Sequence, residues 1–87
     1  MRKLISAKIT KVSNNGNEID IEVTLSDDMD KYGNQNVRKV NLRKTEKDTI
    51  LVRTGYFKRF LKEIFAMLQN DPDFQSFRPL RLRCIFL

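Results

Sequence analysis

The sequence predicts an α+β fold: a small antiparallel sheet of about five strands, in the order ββββαβ, packed by one amphipathic helix. Apolar and polar residues alternate on both sides of an Asn-Asn-Gly turn, which indicates two paired strands. Apolar residues then recur at helical spacing near residue 60, and a second alternating stretch closes the chain. Since 87 residues can bury one modest core, residues 1–87 are expected to form a single domain.

The first two strands are expected to form a hairpin around the turn at 14–16. A three-residue loop, with its glycine in the left-handed conformation, places Ile9 opposite Ile21 and Lys8 opposite Glu22. The apolar faces then coincide and the opposite charges pair, so the turn and the alternation support the same register. The residues expected to point inward are Ile5, Ala7, Ile9, Ile19, Ile21, Val23 and Leu25.

The middle of the chain predicts a loop and two shorter strands. Residues 26–36, SDDMDKYGNQN, are rich in Asp, Asn and Gly and are expected to be a loop. The segment VRKVNLR follows as a third strand, with Val40 and Leu42 pointing inward. The segment DTILVR is rich in β-branched residues and predicts a fourth strand after a turn at 44–48.

The segment TGYFKRFLKEIFAMLQN predicts the helix. Thr54 is expected to cap its start, and Asn70-Asp71-Pro72 to end it. One more helical turn is expected at DPDFQSF, with Asp71 as the cap and Pro72 in the first position. The apolar stripe of the main helix consists of Phe57, Phe60, Leu61, Ile64, Phe65 and Leu68.

The closing segment RPLRLRCIFL predicts a fifth strand. Its second half is apolar on both faces, which is typical of a strand covered on both sides or of one that meets a partner. Ile85 and Leu87 are therefore predicted to form an oligomer interface if one exists. The inward face is expected to carry Leu80, Leu82, Cys84 and Phe86.

The residue types argue against catalysis, and we expect no catalytic residue, cofactor or metal ligand. Histidine is absent, which removes the commonest general base and the commonest metal ligand. Cys84 lies at an apolar strand position and is expected to be a core residue. An EF-hand register that begins at Asp28 puts Lys39 where a bidentate glutamate is needed, so the Asp27, Asp28 and Asp30 cluster is expected to be solvated loop.

The charge is basic and unevenly distributed along the chain. There are 17 Lys and Arg against 11 Asp and Glu, a net charge of +6. Residues 18–30 carry six acidic groups and no basic one, whereas residues 31–62 carry ten basic groups and two acidic ones. If the fifth strand borders the third, Arg81 and Arg83 would extend the outward surface of Lys39 and Arg43. The residues predicted to contact a nucleic acid or another partner are Lys39, Arg43, Lys44, Arg53, Lys58, Arg59, Lys62, Arg81 and Arg83.

The alternative is that these cations only solvate the open face of the sheet or pair with Asp20 and Glu22. The spacing of most of the phenylalanines places them on the inward faces of their helices and strands. Only Tyr32 and Tyr56 are expected to be free to stack on bases. Binding to nucleic acid would therefore rest on phosphates and shape, with weak sequence specificity.

The strand that runs directly into an amphipathic helix, TILVRTGYFKRFLKEI, follows four predicted strands. This order, over about residues 3–70, is similar to the small coactivator-type single-stranded-DNA-binding domains. The resemblance lies in the architecture and has no specific motif behind it, so it serves here as a fold-level analogy.

Three functions remain open. The first is a basic module that contacts the phosphate backbone of DNA or RNA. The second is a protein-binding inhibitor or accessory factor of a phage or mobile element, such as an anti-CRISPR protein, directed at a host effector that handles nucleic acid. The third is a structural homo-oligomer, for example a homodimer joined at a sheet edge.

The location of the protein follows from two features of the sequence. The longest apolar run, Ile64 to Leu68, is far too short for a signal core or a membrane span. The single cysteine cannot form an internal disulfide, which is typical of a reducing compartment. We expect a cytoplasmic protein with no membrane contact.

Overall fold

The computed structural model describes residues 3–47, 49–53, 59–77 and 84–86. The strands are β1 (Leu4–Ser13), β2 (Glu18–Leu25), β3 (Arg38–Lys44), β4 (Ile50–Val52) and β5 (Cys84–Phe86). The helices are α1 (Leu61–Leu68) and α2 (Pro72–Phe77), and a 3₁₀ turn occupies Asn14–Gly16. The five strands form one sheet in chain order. The predicted α+β fold with five strands is confirmed.

The expectation of an antiparallel sheet is right for the first three strand pairs and wrong for the last. β4 and β5 pair in parallel, with Ile50 opposite Cys84 and Leu51 opposite Ile85. The chain passes through α1 and α2 between these strands, and a helical crossover of this kind returns the chain to the same end of the sheet. β5 therefore borders β4 and not β3, so the condition under which Arg81 and Arg83 would extend the surface of Lys39 and Arg43 is not met.

The first hairpin has the predicted register, with one extra residue near its turn. Ile9 lies opposite Ile21 and Lys8 opposite Glu22, as expected. Between Ile9 and Lys11 the register shifts by one residue, so four residues separate the paired Ser13 and Glu18 and the predicted three-residue loop is wrong. The bulge sets Val12 opposite the buried Ile19.

All three residues of the 3₁₀ turn have positive φ angles, 52° and 57° at the two asparagines and 87° at Gly16. Asn and Gly are the residues that tolerate this conformation best. The left-handed glycine expected at this position is confirmed.

A second bulge changes the inward face at the start of β1. The register shifts between Leu4 and Ser6, so Leu4 lies opposite the buried Leu25 and packs against the core. Ile5 is 49% exposed, and the expectation that it points inward is wrong. Period-two alternation cannot predict this exchange, because a bulge reverses the phase of the strand.

The core lies between one face of the sheet and the two helices. Ile64 and Leu68 of α1 are buried on it, and Phe65 packs against Phe74 of α2 with ring centroids 5.4 Å apart. Each fully buried aliphatic or aromatic side chain contributes about 1.5–3 kcal/mol to folding. The buried sheet residues are Ile19, Ile21, Val23, Leu25, Val40, Leu42, Ile50 and Val52.

The helix ends follow the sequence where the structure describes them. Pro72 is the first residue of α2, and Asp71 accepts a hydrogen bond from the Asp73 amide at 2.8 Å, so the predicted cap is confirmed. The predicted cap Thr54 and the stripe residue Phe57 lie outside the described residues. No helix within the described ranges has the length and apolar content needed to cross a membrane.

Candidate functional site

The face of the sheet opposite the helices carries charges in a regular pattern. Glu22 of β2 lies between Lys8 of β1 and Lys39 of β3. Cross-strand neighbours of opposite charge stabilise each other by roughly 0.2–1 kcal/mol. The acidic strand in the middle thus compensates the basic strands beside it, and Lys39 contributes little net positive potential at this position.

An asparagine fixes two carboxylates on the same face. The side-chain amide of Asn41 donates to Oε2 of Glu18 at 2.9 Å and to Oδ1 of Asp20 at 2.7 Å. Glu18 also accepts a hydrogen bond from the side chain of Asn14 in the hairpin turn. This network holds the acidic groups of β2 in place and limits their reach towards the cations of β3.

Three basic residues cluster at the turn between β3 and β4. Arg43, Lys44 and Lys47, together with Thr45 and Thr49, form what we call the basic corner. Two adjoining cavities of about 390 and 480 Å³ open there and share Arg43, Lys44, Thr45 and Glu46 in their walls. Glu46 is the acidic residue that lines them.

The two cavities differ in the rest of their lining. Asn14 and Asn17 of the hairpin turn complete the first cavity. Leu51 and Ile85 line the second, and both follow Arg43 in one row across β3, β4 and β5. The second cavity therefore has an apolar floor beside a cationic rim.

Backbone pairing makes the basic corner well defined. The Thr45 amide donates to the Thr49 carbonyl at 2.8 Å, and the two hydroxyl oxygens lie 2.6 Å apart. The Lys44 amide donates to the Asn17 carbonyl at 2.7 Å, which ties the corner to the hairpin turn. The Lys44 ammonium lies 5.9 Å from the centre of the Phe77 ring, a cation–π distance.

The predicted partner-binding residues do not form a single surface. Arg43 and Lys44 meet at the basic corner. Arg53 is exposed just beyond β4, and its amide donates to the Asn41 carbonyl at 3.0 Å, which places it farther along the sheet. Arg59 and Lys62 are exposed at the start of α1, on the helical side of the sheet. Lys58, Arg81, Arg83 and Leu87 lie outside the described residues.

Lys47 lines the corner but was not among the predicted contact residues. The sequence did offer one indication of this role. Lys47 lies in the expected turn between β3 and β4, and a turn places its residues beside the end of the preceding strand, where Arg43 and Lys44 lie. Ile85, predicted as an interface residue, is 45% exposed and lines the second cavity.

The loop at 26–37 is also better ordered than its composition suggests. The carboxylate of Asp28 is buried and accepts hydrogen bonds from Arg38 at 2.8 and 2.9 Å and from the Asn36 side chain at 2.9 Å. The expectation that Asp28 is solvated is wrong, because Arg38 and Asn36 replace the water that a carboxylate needs. Tyr32, expected to be free, is 76% exposed.

The single thiol of the chain, that of Cys84, lies in an environment that disfavours its reaction. Cys84 packs against the core at the pairing position of Ile50. Burial raises the pKa of the Cys84 thiol above its ordinary value. Since the thiolate is the reactive form, this environment disfavours nucleophilic chemistry at neutral pH.

Comparison with known proteins identifies no relative. No family model matches the sequence, and no curated protein and no solved structure matches the chain. The architectural similarity to single-stranded-DNA-binding domains thus remains an analogy, and function must be argued from the site alone.

Proposed function

We propose that this chain is a small non-enzymatic binding protein that contacts the phosphate groups of a nucleic acid or a nucleoprotein through its basic corner. The observation that carries the proposal is the clustering of Arg43, Lys44 and Lys47 around two adjoining cavities. Arg43 has an acidic cross-strand neighbour, Glu18, as Lys39 has Glu22, but the Glu18 carboxylate accepts hydrogen bonds from Asn14 and Asn41. Lys44 and Lys47 add two further cations at the turn, against the single carboxylate of Glu46 in the cavity walls.

The other groups in the corner suit a phosphate ligand. Hydroxyl groups and side-chain amides are common donors to phosphate oxygens, and the half-buried Thr45 and the exposed Asn17 supply one of each kind at the cavity walls. Contacts to the phosphate backbone position a nucleic acid without recognising its base sequence. The proposal therefore includes weak sequence specificity and a cytoplasmic location, where the single Cys84 stays reduced.

Salt dependence provides the direct test of this proposal. If three cations each neutralise one phosphate, affinity for duplex DNA should fall on the order of 40-fold between 50 and 200 mM salt. Fluorescence anisotropy with labelled single-stranded and duplex oligonucleotides, repeated across a salt series, measures this slope. Absence of binding at 50 mM salt would rule out the nucleic-acid form of the proposal.

A second function is favoured by the loop at 26–37. An ion pair with a buried carboxylate anchors this loop while Tyr32 stays exposed, which is an arrangement typical of protein-recognition loops. In this alternative the chain is an inhibitor or accessory protein of a mobile element that binds a host effector. Purification of bound proteins with and without nuclease treatment separates the two functions, since only a direct protein partner survives the nuclease.

A further inference from the structure

The loop at 26–37 exposes large apolar side chains together with acidic ones. Met29, Tyr32 and Val37 are 52%, 76% and 56% exposed. The same segment contains three aspartates and one lysine, Lys31, whose ammonium lies 5.1 Å from the centre of the Tyr32 ring. Tyrosine and methionine are enriched at protein interfaces, where exposed groups of this kind become buried.

The loop is also held in one conformation before it meets any partner. Oδ1 of Asp30 accepts hydrogen bonds from the amides of Tyr32 at 2.8 Å and Asn34 at 3.0 Å. The Asp28–Arg38 ion pair closes its base. Little conformational entropy is therefore lost when such a loop docks, which is the usual advantage of a preorganised binding element.

The basic corner has the complementary character. Residues 43–47 contain three cations and one glutamate. Residues 26–37 expose the two anions Asp27 and Asp30 beside the one cation Lys31, while Asp28 is buried against Arg38. The second cavity of the corner adds an apolar floor of Leu51 and Ile85 that can receive an apolar or aromatic side chain. Charge and apolar surface thus match between the two sites.

The loop cannot reach the corner of its own chain. It joins the first residue of β3, Arg38, while the corner begins at the other end of the same strand, at Arg43. Five residues of extended strand, 38–42, lie between the two sites, so residues 37 and 43 are roughly 20 Å apart. A contact between them must therefore be made by two molecules.

We propose that the loop at 26–37 of one copy docks into the basic corner of a second copy, with Tyr32 over Leu51 and Ile85. The contact joins two different surfaces, so it is heterologous and leaves one loop and one corner free for further copies. The contact between the two copies needs no nucleic acid. Because the corner is also the proposed phosphate site, oligonucleotide and loop would compete for it.

Sedimentation velocity over a range of concentrations at low salt tests the contact. We expect the wild-type chain to self-associate reversibly and to dissociate as salt rises. Tyr32→Ala should weaken association by about tenfold or more, which is typical of the loss of an interface anchor. Met67→Ala, at a 45% exposed residue of α1, is the matched control and should associate like the wild type.

A mixing experiment tests the pairing of the two surfaces. Tyr32→Ala keeps an intact corner, and the double variant Arg43→Glu/Lys47→Glu keeps an intact loop. Each should be largely monomeric alone, and the mixture should form a heterodimer that does not grow further. Thermal unfolding of each variant checks that the fold is retained.

Three results would overturn the inference: a monomeric wild type at millimolar concentration and low salt, association of Tyr32→Ala equal to that of the wild type, or a mixture that stays monomeric. The proposed function is judged separately by anisotropy. A chain that binds oligonucleotide but stays monomeric contradicts only this inference, and a chain that associates but binds no oligonucleotide contradicts only the nucleic-acid proposal.

Discussion

Arg38 Nε lies 2.8 Å from Oδ2 of Asp28, and this ion pair joins the third residue of the loop at 26–37 to the first residue of β3. The carboxylate is 8% exposed and the guanidinium 46%, so the pair is buried on the acidic side only. The orientation of the loop therefore depends on a contact between residues ten apart in the sequence. A buried carboxylate without its partner would be strongly unfavourable.

Removal of the Arg38 cation should destabilise the fold more than neutralisation of the Asp28 carboxylate. Arg38→Met leaves the buried Asp28 charge with fewer donors and should lower the free energy of unfolding by about 1–3 kcal/mol. Asp28→Asn keeps a polar side chain of the same shape and should lower it less. Urea denaturation of both single variants and of the double variant measures the coupling. Equal, independent effects of the two substitutions would contradict a direct interaction.

The hairpin turn should be sensitive to the side chain at one position. Gly16 has a φ of 87° and open space around it, so an added Cβ would meet no atom and would only strain the backbone. Gly16→Ala should lower the free energy of unfolding by about 1 kcal/mol. Asn15→Gly is the control, because Asn15 already has a positive φ that glycine adopts freely, and it should be neutral within a few tenths of a kcal/mol. A neutral Gly16→Ala would show that the turn relaxes.

The hairpin shows how far the sequence alone can go. Its register was predictable because the turn residues and the alternation are local and consistent. The bulge that exposes Ile5 was not, since it depends on how Leu4 packs across the sheet. The parallel pairing of β4 with β5 likewise depends on the helical crossover between them, which no residue pattern within either strand records.

The candidate site was predictable only in part. Arg43 and Lys44 stand out from composition and strand phase, but the compensation of Lys39 by Glu22 depends on the neighbour that β3 acquires in the sheet. Nothing in the local sequence distinguishes Asp28, which is buried, from Asp27, which is exposed. Charge counts therefore indicated a broad basic surface, whereas the fold brings Arg43, Lys44 and Lys47 together at one corner.

The final strand should be required for folding. Deletion of residues 84–87 removes β5 from the edge of β4 and takes away the core contact of Cys84. We expect the truncated chain to lose cooperative thermal unfolding. Ile85→Ser, at an exposed position of the same strand, should change the midpoint little. A truncated chain with a cooperative transition at the wild-type temperature would contradict this role.

The thiol of Cys84 should react slowly and should link stability to alkaline pH. Its pKa is raised in the folded state by burial, so the folded chain holds its proton more tightly than the unfolded chain. This contribution to stability is complete below the ordinary thiol pKa and is lost as pH rises through the folded value. Reaction with an aromatic disulfide reagent at pH 8 should be slower in buffer than in urea. Equal reaction rates in buffer and in urea would contradict the claim that the folded chain buries the Cys84 thiol. Identical stability of Cys84→Ala and the wild type at alkaline pH would contradict it as well.

The central claim is that the basic corner, and not the basic composition as a whole, binds phosphate. The most direct measurement is the salt dependence of oligonucleotide affinity for two charge-matched variants, Arg43→Glu/Lys47→Glu at the corner and Arg59→Glu/Lys62→Glu at the start of α1. Both variants lower the net charge equally. We expect the corner variant to lose most of its affinity and to show a shallower salt slope, and the helix variant to stay close to the wild type. Equal losses in the two variants would contradict the claim.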